Sequence, residues 1–308
     1  MKEKENSLRI RLRRNRMTRL LRLNFHRPLI LDGAMGTELE RRGFKTQLPL
    51  WSAQALLTAP KLVLQIHKDY IKAGADIITT NTFRTNPYTI KKSGAVKMNR
   101  VIARALTKIA CDLAKSAVGG KKVLIAGSVA PIEDCFSPNL YPGRRLAERD
   151  HYEHIRNLKL GGVDFILAET MISIEEALIV LNQAQRLKMA AMVSFALRED
   201  GNILNGDKLL SALKQVAKYK PLAFLINCTT LNIIEKVIDS LLAVAKMPIG
   251  VYPNFGPPID RKFDQYLTPS KFARLMSQLK DKGLMILGGC CGTQPTHIAA
   301  LAKIIKSS

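Results

Sequence analysis

The amino-acid sequence predicts an α/β protein, a single closed (β/α)8 TIM barrel over residues 28–308 that follows a basic N-terminal extension over residues 1–27. Three observations lead there. Eight short apolar runs recur after residue 28, they alternate with segments of helical periodicity, and no low-complexity linker divides them. Each run is hydrophobic almost continuously rather than at every second residue, the pattern of a strand covered on both faces. Eight βα units match the size of a barrel, although counting alone leaves an open doubly wound sheet as another arrangement of the same units.

Taken in order, the first run is LILDG (29–33), and a helix is expected between Pro60 and Gly74. Pro60 suits a first helical position, Leu62, Ile66 and Tyr70 recur at four-residue spacing, and Gly74 ends the segment. The second run, ADIITTNTF (75–83), is entered through Gly-Ala-Asp. VLIAGSVA (123–130) is the third, and VDFILAET (163–170), entered through Gly-Val-Asp, is the fourth. AAMVSFAL (190–197), LAFLINCT (222–229), PIGVYPNF (248–255) and LMILGG (284–289) complete the eight.

Composition narrows the class. In 308 residues, 47% are hydrophobic and 24% charged, which is a globular rather than a disordered balance. No apolar run approaches the roughly 20 residues of a membrane-spanning helix, and the N-terminus lacks the apolar core of a secretory signal. Five cysteines, an odd number, point to thiols or a metal in a reducing, cytoplasmic setting. The net charge is +23, and residues 1–27 carry ten Lys/Arg against Glu3 and Glu5. That stretch is expected to be a flexible, solvated tail. Organelle targeting and a nucleic-acid arm are the other readings, and Met17 offers an internal start.

In a barrel the C-terminal strand ends converge on one mouth, so the residues there carry the chemistry. Asp32 ends the first strand, Glu169 the fourth, Cys228 the sixth, Asn254 lies on the seventh, and Cys290 and Cys291 end the eighth. The adjacent cysteines admit three readings: buried core thiols, a vicinal disulfide, or two ligands of one metal. Neighbours on a regular strand face opposite ways, but Gly288, Gly289 and Gly292 allow a turn that brings both sulfurs inward. With Cys228 they make three thiolates and one open position, the form of a catalytic zinc site, and the paired C-x2-C spacing of a four-cysteine structural site is absent. Cys111 reads as a core residue of a helix, Cys135 as a thiol near the mouth outside the ligand set, and His297 as a packing or capping element. His151 and His154 have a spacing that suits a metal, but are read as residues of an exposed helix.

The motifs ILDGAMGTELERRG, GADIITTNTF, ETM, NC and GGCCGTQPTHI resemble, in order and spacing, the homocysteine S-methyltransferase family over about residues 28–306. The resemblance implies a zinc ion (Zn2+) on Cys228, Cys290 and Cys291. It implies that Asp32 and Glu169 bind the amino-acid end of homocysteine, with Thr82 as a pocket residue. The implied reaction is methyl transfer to the thiol of L-homocysteine, giving methionine, with small molecules as the partners and no membrane or nucleic acid.

For the methyl donor, a free-standing barrel resembles the branch that uses S-methylmethionine, and after it S-adenosylmethionine. LWSAQALL (50–57) resembles that branch too, whereas Phe255, Gly256 and Pro257 stand where its members often have a small residue, glycine and an acid after YPN, and the TNTF segment looks more like other branches, which keeps betaine in view. The non-enzymatic alternative is an RNA-associated or scaffold protein on a retired barrel. Intact NC and GGCCG motifs argue against it.

Overall fold

Eight parallel strands hydrogen-bond in the order β1-β8-β7-β6-β5-β4-β3-β2. They are β1 (Leu29–Ile30), β2 (Ile77–Thr79), β3 (Leu124–Val129), β4 (Phe165–Met171), β5 (Ala191–Phe195), β6 (Phe224–Thr230), β7 (Ile249–Asn254) and β8 (Ile286–Leu287). A parallel bridge between Leu31 and Ile77 joins β1 to β2, with Asp32 N donating to Ile77 O at 3.0 Å, and so closes the ring. The computed structural model describes Leu23, residues 25–255 and residues 267–307. Of the sequence reading, residues 1–22 and 24 of the tail, Met17 among them, and Gly256 and Pro257 lie outside these residues.

The strands behave as their continuous hydrophobicity requires. Alternate residues point inward, where Leu124, Ala126, Phe165, Leu167, Met192, Leu225 and Ile286 share one cluster inside the barrel. Their neighbours Ile125, Ile166, Ala168, Val193 and Ile226 face outward into the larger cluster under the helices. The helices are α1 (Gly36–Arg41), α2 (Pro60–Lys72), α3 (Pro87–Lys92), α4 (Asn99–Val118), α5 (Arg144–Gly161), α6 (Ile174–Arg186), α7 (Leu209–Val216), α8 (Leu231–Val244), α9 (Pro269–Asp281) and α10 (Pro295–Ser307), with single turns between some of them. Helix α2 begins at Pro60, buries Ile66 and Tyr70, and is followed by Gly74 at φ +104°, a left-handed conformation open to glycine.

Two sequence readings differ from the structure. His151 and His154 are both 1% exposed, because α5 turns the stripe Ala147, His151, His154, Ile155 and Leu158 toward the barrel. There His151 Nε2 pairs with Glu176 Oε1 at 2.9 Å and His154 Nε2 meets Ser128 O at 3.2 Å. At the other end of the chain, Leu23 and Phe25 pack against the inner cluster, and Arg27 pairs with Asp76 at 2.9 Å. Contacts with the barrel thus reach back beyond residue 28. Among the described residues no helix is long and apolar enough to cross a membrane.

Candidate metal centre and substrate cavity

The mouth of the barrel holds a cavity of about 260 Å³, lined among others by Asp32, Thr79, Thr80, Glu169, Cys228, Cys290 and Cys291. Irregular backbone builds it. The pairing of β4 with β5 shifts register between Ala168 and Met171, and that of β6 with β7 between Asn227 and Thr230. Such bulges re-aim side chains at a strand end. They leave Thr170 at φ +55° and Cys228 at φ +48°, left-handed conformations that cost a non-glycine residue about 1–3 kcal/mol each.

Asn227, fully buried between the two bulges, holds both in place. Its Oδ1 accepts from Thr170 N at 2.9 Å and from Ser194 Oγ at 2.7 Å, and its Nδ2 donates to Thr170 Oγ1 at 2.8 Å. Nδ2 also lies 3.9 Å from Cys290 Sγ, while Asn254 Nδ2 lies 3.8 Å from Cys228 Sγ.

The adjacent cysteines open a tight turn in which Thr293 N donates to Cys290 O at 3.0 Å. Gly292 occupies the third position at φ +89°, the positive angle that a type II turn requires there. The turn overcomes the strand alternation and brings the ligand atoms of Cys228, Cys290 and Cys291 within 4.8 Å of one another. Hydrogen bonds from Cys228 and Cys291 hold the Cys290 thiol well below its ordinary range, with Asn227 adding to the effect. The three sulfurs form a group able to hold a metal ion.

Two carboxyls face the same space. Asp32 is 4% exposed, and its Oδ2 and Oδ1 accept from Thr79 N at 2.8 Å and Thr79 Oγ1 at 3.0 Å. Burial pushes it up to about 7 against the pull of those hydrogen bonds. Glu169 accepts from Ser128 Oγ, and burial pushes it up to about 8. Thr82 does not line the cavity. Its hydroxyl is buried behind the wall, bonded to Ser128 O at 2.8 Å and Thr80 Oγ1 at 2.8 Å, so that Thr79 and Thr80 are the threonines facing inward.

The remaining sequence candidates fall as follows. Cys111 is 1% exposed in α4, away from the mouth, where Gly161 packs on its sulfur. Cys135 is 4% exposed and lines the cavity, but does not belong to the three-sulfur group. His297 Nδ1 accepts from Gln294 N at 3.1 Å at the start of α10, a capping contact. Sequence reasoning missed Asn227, Thr79, Ser128 and the wall residue Trp51. One signal for Trp51 was the GAMG segment: a Cβ at Gly36 would lie 2.1 Å from the Trp51 ring, so only glycine permits that wall.

Fold and site together define a (β/α)8 barrel with a three-thiol mouth. A family model described as homocysteine S-methyltransferase matches residues 29–305. A homocysteine S-methyltransferase of Escherichia coli (strain K12) is 30% identical, over 89% of this chain and 94% of its own. A selenocysteine Se-methyltransferase of Brassica oleracea var. italica is 29% identical, over 90% of this chain and 89% of its own. Among solved structures, the homocysteine methyltransferase MmuM from Escherichia coli is similar in its oxidized form, with TM-score 0.79 and 28% identity over 90% of this chain and 96% of that one. Its metallated form gives TM-score 0.78 and 27% identity over 91% and 96%. The chain belongs to the homocysteine S-methyltransferase family.

Proposed function

We propose that this chain transfers a methyl group to the thiol of L-homocysteine, giving methionine, and that it does so with zinc held by Cys228, Cys290 and Cys291. The observation that carries this reading is the meeting of three sulfurs with two carboxyls, the buried Asp32 and the half-buried Glu169, in one cavity. The donor set fits the metal. Thiolates select soft or borderline ions over magnesium and calcium. Three sulfurs at a Zn–S distance of about 2.3 Å on a tetrahedron stand about 3.8 Å apart, within the observed 4.8 Å. When bound, zinc leaves one position for the homocysteine sulfur and favours its thiolate, the nucleophile for methyl transfer.

The chain's own residues do the rest. Asp32, anchored by Thr79, and Glu169, anchored by Ser128, accept the α-ammonium of homocysteine. A carboxyl raised by burial is drawn back to its ionised form by a cation beside it, so the two sites are suited to an ammonium and release protons as it binds. Backbone amides near Gly33–Gly36 take the carboxylate. Asn227 and Asn254 steady the cysteine sulfurs, and Trp51, Phe83 and Leu31 line the wall that keeps water out.

We assign this activity to the barrel of residues 28–308, with the basic stretch before it outside the site. S-methylmethionine or S-adenosylmethionine is the donor we favour, and betaine the next. The test incubates zinc-loaded protein with homocysteine and each donor in turn and measures methionine. We expect methionine with at least one of the three; none with any of them contradicts the proposal.

A further inference from the structure

Arg84 is the single cationic side chain among the described residues lining the cavity, and it is 6% exposed. Its guanidinium is only partly satisfied. One Nη donates to Glu133 O at 3.0 Å, the other lies 3.6 Å from Asp134 Oδ1, and Nε is buried without a hydrogen-bond partner. The Phe83 ring, 5.5 Å from the guanidinium carbon, steadies the group. A buried N–H left without a hydrogen bond is costly and calls for an explanation. An arginine that offers Nε–H beside an Nη–H is shaped for a carboxylate, which it takes through two parallel hydrogen bonds.

We propose that Arg84 binds the carboxylate of the methyl donor and thereby selects zwitterionic donors, those that carry a methyl-bearing sulfonium or quaternary ammonium together with a carboxylate. This rests on the methyltransferase reading above and extends it to the second substrate. The position argues for the donor rather than for homocysteine. Asp32 and Glu169 with the three cysteines sit at strand ends, whereas Arg84 follows β2 in a loop and is tied to the loop after β3 through Glu133 and Asp134. Phe136, 40% exposed, stands on that same loop and lines the same cavity. A donor enters from this outer side once homocysteine fills the inner one. Its positive centre then faces the carboxyls and sulfurs, and its carboxylate turns back to the Arg84 guanidinium. Charge at both ends sets the orientation in which the methyl group points inward.

The test is calorimetric titration of the zinc-loaded protein with four probes: S-methylmethionine, S-adenosylmethionine, betaine, and trimethylsulfonium, a methyl donor with no carboxylate. The methyl ester of S-methylmethionine, which keeps both positive centres and loses the carboxylate charge, serves as a fifth. The wild type is expected to bind at least one zwitterion about ten- to a hundred-fold more tightly than trimethylsulfonium, the range of a hydrogen bond to a charged group. If that zwitterion is S-methylmethionine, its ester falls with trimethylsulfonium. Arg84→Gln should lose this preference while binding homocysteine as the wild type does, and Arg84→Lys should keep part of it.

Wild-type protein that binds no zwitterion, or does not prefer one to trimethylsulfonium, overturns the proposal without recourse to any variant. So does Arg84→Gln that keeps the preference, or that weakens homocysteine instead. Failure of the methyltransferase reading is separate, because it appears in the wild type as loss of zinc or of homocysteine binding.

Discussion

Replacing Asn227 by Leu keeps the approximate volume of the side chain and removes every hydrogen bond that ties the two bulges together. Three close partners lose a bond: Thr170 N, Thr170 Oγ1 and Ser194 Oγ, at 2.9, 2.8 and 2.7 Å. Thr170 is 2% exposed and Ser194 fully buried, so water does not replace the lost amide without rearrangement. An orphaned buried group costs about 1–3 kcal/mol, with the backbone N–H at the upper end and the rotatable hydroxyls at the lower. The sum is about 3–5 kcal/mol, against a total stability on the order of 5–15 kcal/mol for a domain. The left-handed backbone of Thr170 and Cys228 also loses its clamp.

The assay is urea unfolding under reducing conditions, with metal content measured in parallel. Asn227→Leu should unfold at much lower urea and retain zinc poorly. Asn227→Asp, which keeps the acceptor oxygen for Thr170 N and Ser194 Oγ but loses the donor to Thr170 Oγ1 and toward Cys290, should be destabilised less than Asn227→Leu and retain zinc poorly. Asn227→Leu within about 0.5 kcal/mol of wild type, the range of an inconsequential surface change, would refute the role given to this residue.

Glu169→Gln keeps shape and removes one charge, so homocysteine affinity should fall by about ten- to a hundred-fold at unchanged zinc content. Calorimetry beside metal analysis checks this, and loss of zinc in that variant would contradict it. His67 is fully buried in α2 with neither ring nitrogen bonded, and burial pushes it down to about 4. The unfolded chain takes up that proton near pH ~6.5 while the folded one refuses it, so stability falls as pH drops through that value toward 4. Between pH 7.5 and pH 5 the effect is about 2 kcal/mol. His67→Leu should flatten the dependence of unfolding free energy on pH by that amount, and parallel curves for the two proteins would count against it. A chain beginning at Met17 should fold and keep its activity, whereas one beginning at Pro28 loses Leu23, Phe25 and Arg27 from the barrel and should melt lower. Equal melting of the two truncations would show that those contacts contribute nothing.

The eight strands were readable because burial on both faces writes continuous apolar runs, and Cys228, Cys290 and Cys291 because glycines and strand ends mark them. What the sequence hid is geometry that breaks the regular pleat. A two-residue alternation gives no hint that Glu169–Thr170 and Cys228–Thr229 bulge, so Asn227 read as a neighbour of a cysteine rather than as the clamp of the site. The position of Thr82 behind the wall is hidden for a related reason. Along TTNT the choice of which threonine faces inward depends on where β2 stops, at Thr79. His151 and His154 form one helical stripe with Ala147, Ile155 and Leu158, a pattern that the charged residues around them mask in the sequence. Arg84 carried no sequence signal, since its meaning lies in a buried nitrogen that lacks a partner.

The measurement that bears most directly on the central claim is the zinc content of the purified, reduced protein and of its single cysteine variants. We expect close to one zinc per chain in the wild type and in Cys111→Ala, and sharp loss in Cys228→Ala, Cys290→Ala and Cys291→Ala. Zinc content left unchanged in those three variants would contradict the assignment of the metal to these sulfurs.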